Sequence, residues 1–121
     1  MKIAVAALDK NGLDAKISQH FGRCPYFIIV NVEDGEITKT EAVENPYAQA
    51  QRGPGQVPEF INSHNVNVLI SGGMGRRAVS FFEQFGIETV TGTALDVGKA
   101  VEGYLKGVMS GAEPCDDDKC K

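Results

Sequence analysis

The chain has 121 residues, 42% of them hydrophobic and 23% charged, which fits one globular domain and includes no apolar run long enough to span a membrane. A formal net charge of −4 argues against a general nucleic-acid binder, yet four carboxylates against two lysines in residues 113–121 put half of that excess in the tail and leave the body nearly balanced. Three cysteines, Cys24, Cys115 and Cys120, do not make a disulfide framework, so the composition reads as a soluble, unexported, cytoplasmic protein with free thiols.

Residues 2–8 are small and apolar and run into a polar stretch with Asn11-Gly12, which predicts a central strand ending near Leu8. A loop then extends to about Arg23. It carries Ser18-Gln19-His20-Phe21-Gly22-Arg23-Cys24-Pro25, a patch dense in chemically capable side chains. From Tyr26 to Val32 the chain is aromatic and β-branched, and Asp34-Gly35 is a strong hairpin signal, so residues 36–44 return as an antiparallel partner. Its mixture of apolar and charged residues places that partner at an edge.

Asn45-Pro46 breaks the pattern, and the glutamine- and glycine-containing residues 47–55 read as a surface loop. Val57, Phe60, Ile61 and His64 recur at helical spacing, and this helix should end near Asn65. Val66, Val68, Leu69 and Ile70 form a short buried strand, Gly72, Gly73 and Gly75 form a turn, and a second helix begins at Arg76 with Ala78, Phe81, Phe82 and Phe85 on its apolar face. Gly86 stops it. Residues 87–90 make a last strand, and Thr93 is the expected cap of a third helix with Asp96 in its first turn and Val97, Ala100, Val101, Tyr104, Leu105 and Val108 inward. The order β-β-β-α-β-α-β-α gives an α/β domain over residues 1–108, a mixed five-stranded sheet with helices on its faces, followed by a flexible, acidic, cysteine-containing tail over 109–121.

Two loops then leave the same edge of the sheet, since ligands of such folds collect beyond the carboxyl ends of the parallel strands. A helix that starts directly after a glycine turn aims unpaired N–H groups and a positive dipole end at whatever lies above it, and Arg76 and Arg77 add charge. That outlines an anion site. The three glycines would allow close approach and positive φ, although Gly-x-Gly after a strand is also a common plain turn.

The N-terminal Met-Lys-Ile-Ala-Val strand, Ser18-x-His20-Phe21-Gly22-Arg23, Glu44-Asn45-Pro46 and Gly72-Gly73-Met74-Gly75-Arg76-Arg77-Ala78 together resemble the dinitrogenase iron–molybdenum cofactor biosynthesis family, over roughly residues 1–108. The family includes small cluster carriers of nitrogenase assembly and stand-alone proteins of anaerobes and archaea. The resemblance implies a ribonuclease H-like fold and a non-catalytic role in holding or delivering an anionic metal–sulfur cluster of iron–molybdenum–sulfur or molybdenum, copper or iron sulfide type, with a cluster donor or acceptor protein as partner and neither nucleic acid nor membrane. A carrier of such cargo needs N–H donors, cations and an exchangeable ligand. Gly73, Gly75, Arg23, Arg76, Arg77 and His20 are the candidate binding residues, and His20 and Cys24 the candidate metal ligands.

Each of these has a plainer reading. His20 could cap or pack its own loop, Cys24 before Pro25 could be a small buried hydrophobe, and Arg23 a structural ion-pair donor. His64 falls on the helical apolar stripe and reads as a packed helix end. Cys115-x₄-Cys120 has the wrong gap for a zinc knuckle.

Two other functions compete. A phosphate-ester or nucleotide enzyme lacks the Gly-Lys-Ser/Thr ending of a P-loop and a ribose-holding acid, and a two-metal nuclease lacks carboxylates on the first strand before Asp9. An interaction or regulatory protein without cofactor could use Met74, Tyr47 and the glutamine-rich loop as its contact surface.

Overall fold

The computed structural model describes residues 1–19, 21, 23–46, 56–92 and 96–106. The tail from residue 109, Tyr47 and the surface loop around it, Thr93 and His20 therefore lie outside the described residues. Among the described residues, five strands form one sheet in the order β3-β2-β1-β4-β5: β1 is Lys2–Ala7, β2 Tyr26–Glu33, β3 Glu36–Glu44, β4 Val68–Ser71 and β5 Glu88–Thr91. The helices among these residues are α1 (Gln56–Asn62), α2 (Arg76–Phe85) and α3 (Val97–Leu105), and a 3-10 turn, Gly12–Asp14, interrupts the loop after β1. This is the mixed five-stranded α/β architecture expected from the hydrophobic pattern.

β1 is the central strand. It pairs antiparallel with β2, Val5 opposite Ile28, and parallel with β4, Val5 opposite Ile70. β4 pairs parallel with β5, Ile70 opposite Val90. Because side chains alternate across a strand, the sheet divides the core in two. Ile3, Val5, Ile28, Val30, Val68, Ile70 and Val90 lie under α3, against Val97, Ala100 and Val101. Ala4, Ala6, Phe27, Ile29 and Leu69 face α1 and α2, where Val57, Ile61, Val79 and Phe82 cover them. The small Ala4 and Ala6 leave room on that face for three aromatic rings, Phe21, Phe27 and Phe82.

The hairpin turn is the one its sequence demands, with Asp34 at φ 53° and Gly35 at φ 79°, the paired left-handed geometry that matches strand twist. β3 is more exposed than its alternation implies: only Val43 among its nine residues is even half-buried. The register slips by one residue at Thr38, a bulge that, with Lys39 and Glu41 beside it, suits an edge strand open to water.

Three local details differ from expectation. α3 is capped by Asp96, whose Oδ1 accepts from Lys99 N at 2.8 Å, so the helix starts one residue after the acid that was placed in its first turn. On α2 the buried positions are Val79 and Phe82, with Ala78 and Phe85 partly covered, because the sheet meets the helix one residue round from Phe81. Met74 is 2% exposed inside the core, so it belongs to no contact surface.

Candidate functional site

β1, β4 and β5 run parallel, so their carboxyl ends, Ala7, Ser71 and Thr91, share one edge of the sheet. Antiparallel β2 begins there at Tyr26 and β3 ends there at Glu44. Both chemically dense loops, residues 8–25 and the Gly72–Gly75 turn, therefore leave from this rim.

The first loop is tied back onto the strand it comes from. Leu8 N donates to Lys16 O at 2.8 Å and Ser18 N to Ala6 O at 2.9 Å, so residues 16–18 run antiparallel to the end of β1. Asp9 spends its carboxylate inside the loop, accepting from Asn11 N at 3.0 Å and Lys16 N at 3.3 Å. Gly12, at φ 63°, makes the reversal that a side chain would strain. Further along, Phe21 is buried with its ring 5.3 Å from Phe82 of α2 and 5.7 Å from Phe27 of β2.

The two loops touch. Gly72 N donates to Ser18 O at 3.0 Å, and a Cβ on Gly72 would come within 2.9 Å of Ser18 O and of the Gln19 side chain. Gly72 is thus the residue whose missing side chain lets the loops close. None of Gly72, Gly73 and Gly75 uses a positive φ, contrary to the turn chemistry their number suggests, because the turn is shaped instead by Ser71, whose buried hydroxyl donates to Gly73 O at 2.8 Å. Gly75 is different again. It is the N-cap of α2 at φ −75° and ψ 163°, makes no side-chain cap bond, and a Cβ there would meet nothing within 4 Å. The N–H groups of Arg77 and Ala78 stand in the first turn, where a helix has no acceptors of its own.

Arg23, Arg76 and Arg77 are all exposed at this rim, and among the described residues no carboxylate forms an ion pair with Arg23 or Arg77. Cys24, a candidate metal ligand from its sequence, is 1% exposed and its thiol donates to Phe21 O at 3.1 Å, which places it at the floor of the loop. His64 is a helix-end residue, as its stripe implied. Its Nδ1 lies 2.9 Å from Phe60 O and its ring stands edge-on to Phe60, with Lys2 Nζ on its carbonyl at the opposite end of the sheet from the glycine turn. Among the described residues no group of three or more His, Cys, Asp and Glu side chains converges, so the rim offers N–H donors and guanidinium groups rather than a carboxylate cage.

Sequence reasoning missed the residues that hold the rim in shape. Ser18, Asn45 and Ser71 are buried, and each stands where a loop leaves the sheet. Asn45 Nδ2 donates to Cys24 O at 2.8 Å and Asn45 N to Pro25 O at 2.9 Å. The available signal was Asn45-Pro46, legible as a pattern breaker and as part of the Glu44-Asn45-Pro46 motif but not as a clamp on another loop.

Known proteins share this fold. The family described as dinitrogenase iron-molybdenum cofactor matches residues 1–107. An uncharacterized protein of Methanocaldococcus jannaschii is 34% identical over 110 residues, which cover 90% of this chain and 89% of that one. The apo orange protein of Desulfovibrio gigas superposes with a TM-score of 0.82 at 26% identity, covering 93% of each chain. A Thermotoga protein provisionally assigned as NifB, and placed in the DUF35 family, gives a TM-score of 0.80 at 25% identity over 97% of this chain and 98% of its own.

Proposed function

Because the chain belongs to the dinitrogenase iron-molybdenum cofactor family, we propose that it is a non-catalytic carrier of an anionic metal–sulfur cluster, held over the rim where the loop after β1 meets the glycine turn. The observation that carries this reading is the closure at Gly72, which brings the Arg23 loop and the start of α2 to one place. A bulky cluster with sulfide edges fits such a surface. It accepts hydrogen bonds from the N–H groups of the first turn of α2, draws electrostatic support from Arg23, Arg76 and Arg77, and finds at Gly75 a backbone with open space where other residues carry a side chain.

In this proposal His20 supplies the exchangeable ligand, on the grounds of its chemistry and its place between Gln19 and Phe21 in the sequence, while Cys24 anchors the loop from below. A site built from dipoles, cations and at most one weak ligand suits cargo that is handed on to a donor or acceptor protein. The setting is the cytoplasm of an anaerobe, where free thiols and sulfide clusters persist. Among the described residues no helix is long and apolar enough to cross a membrane.

Anaerobic incubation with tetrathiomolybdate or an iron–sulfur cluster tests the reading. After desalting, the protein should retain colour, metal and sulfide in fixed proportion, and His20→Ala should weaken retention. A protein that stays colourless at every cluster concentration contradicts it and leaves a regulatory or interaction role, whereas turnover of a phosphate ester would support an enzyme instead.

A further inference from the structure

Burying a polar side chain is costly unless it forms a hydrogen bond that matters, so the position of such groups marks where the fold needs a fixed main-chain shape. Among the described residues the buried polar side chains are Ser18, Asn45, Ser71 and Thr89, and the first three gather at the rim. Of the three, Asn45 alone lies neither in one of the two loops nor on a strand that leads into one. It directly follows the last residue of β3, an edge strand of the sheet, and its side chain donates to the carbonyl of Cys24, 21 residues earlier, at 2.8 Å. Its own N–H holds Pro25 O at 2.9 Å. Two adjacent carbonyls directly after Arg23 are therefore pinned by a single residue. On the other side of Arg23, Phe21 is locked between Phe27 and Phe82.

We infer that Asn45 is a positioning residue for the cargo site: by fixing the Cys24 and Pro25 carbonyls it sets where the exposed Arg23 stands, without itself touching cargo. The inference rests on the carrier reading above, and it also has a consequence that needs no cargo. If Asn45 holds the loop closed, then the Cys24 thiol, 1% exposed and bonded to Phe21 O, is protected by that hold.

The test uses the full chain with Asn45→Ala, and Asn45→Asp as a second variant that keeps the shape and loses the donor. Alkylation of Cys24 by iodoacetamide is followed by peptide mass mapping, which separates Cys24 from Cys115 and Cys120. Thermal melts by circular dichroism show that the variants are folded at the assay temperature. Both should alkylate at Cys24 about tenfold faster than the parent or more, the opening expected when one buried hydrogen bond is removed. Tetrathiomolybdate titration then supplies a double-mutant cycle with Arg23→Ala. A positioning role predicts that Asn45→Ala weakens binding about as much as Arg23→Ala, and that the double variant is no weaker than Arg23→Ala alone. Unchanged Cys24 reactivity in folded variants overturns the inference, as does additive loss in the cycle. If the parent protein itself takes up no thiomolybdate, the carrier reading falls and the positioning role falls with it, whatever the alkylation rates show about loop closure.

Discussion

Replacing Gly72 by alanine should separate the two loops and destabilise the fold, and the structure sets the scale. The added Cβ would lie 2.9 Å from Ser18 O, Gln19 Cδ and Gln19 Oε1, about 0.5 Å inside the closest ordinary contact. The end of the Gln19 side chain can swing aside. Ser18 O cannot, because Ser18 N is held by Ala6 O at 2.9 Å and the carbonyl itself accepts from Gly72 N at 3.0 Å. Relief therefore requires main-chain movement that stretches the bond between the loops. Overpacking of this kind costs about 1–3 kcal/mol, and weakening the hydrogen bond adds up to about 1 kcal/mol. For a domain of this size each kcal/mol lowers Tm by roughly 3–6 °C, so a drop on the order of 10 °C is expected in a circular-dichroism melt. An alanine variant within about 0.5 kcal/mol of the parent, still binding thiomolybdate equally, would refute the idea that this contact builds the site.

Other substitutions divide structural from functional roles. Gly75→Ser should leave stability unchanged or raise it by a few tenths of a kcal/mol, since a serine at an N-cap in extended geometry can satisfy the helix start, yet it should weaken cluster binding by filling the open space. Chemical denaturation and thiomolybdate titration on one sample check both halves. Asp96→Ala should cost about 1 kcal/mol by removing the cap on Lys99 N, read from the urea midpoint at constant slope. Partial burial, and then the hydrogen bond to Glu88 at 2.8 Å, hold the Tyr104 phenol above its ordinary value. A raised phenol favours the folded state at pH below the unfolded value of about 10 and loses that contribution as pH climbs through the folded value, so the parent should lose stability relative to Tyr104→Phe only in strong alkali. Spectrophotometric titration at the phenolate band should show one tyrosine shifting down in Glu88→Gln.

How far the amino-acid order foretold the molecule depends on the range of the interactions involved. Period-two and period-3.6 patterns report local burial, and they placed the strands, the Asp34-Gly35 hairpin, the edge position of β3 and the stop at Gly86. The meeting of the two loops was legible too, because parallel strands must deliver their carboxyl ends to one edge. What the patterns could not carry is contact between segments far apart in sequence. Gly72 looked like its neighbours Gly73 and Gly75, and only the presence of Ser18 and Gln19 beside it separates the glycine that the fold requires from the one it does not. Asn45 is visible in the sequence as a breaker and a motif residue but not as a clamp, because its hydrogen bond to Cys24 O joins the two ends of the hairpin. The burial of Cys24 in the same cluster as Phe21 and Phe27 was equally invisible, because it depends on residues that only the folded sheet brings together.

The central claim is electrostatic, and it is tested most directly by equilibrium titration of the apo protein with tetrathiomolybdate under anaerobic conditions, comparing the parent with Arg23→Ala/Arg77→Ala. Both guanidinium groups are exposed, so the double variant should fold with stability within about 0.5 kcal/mol of the parent for each site changed. Binding should weaken by roughly tenfold or more per charge removed, and the loss should shrink as salt screens the parent's own attraction. Equal affinity of parent and variant at low ionic strength would contradict the account.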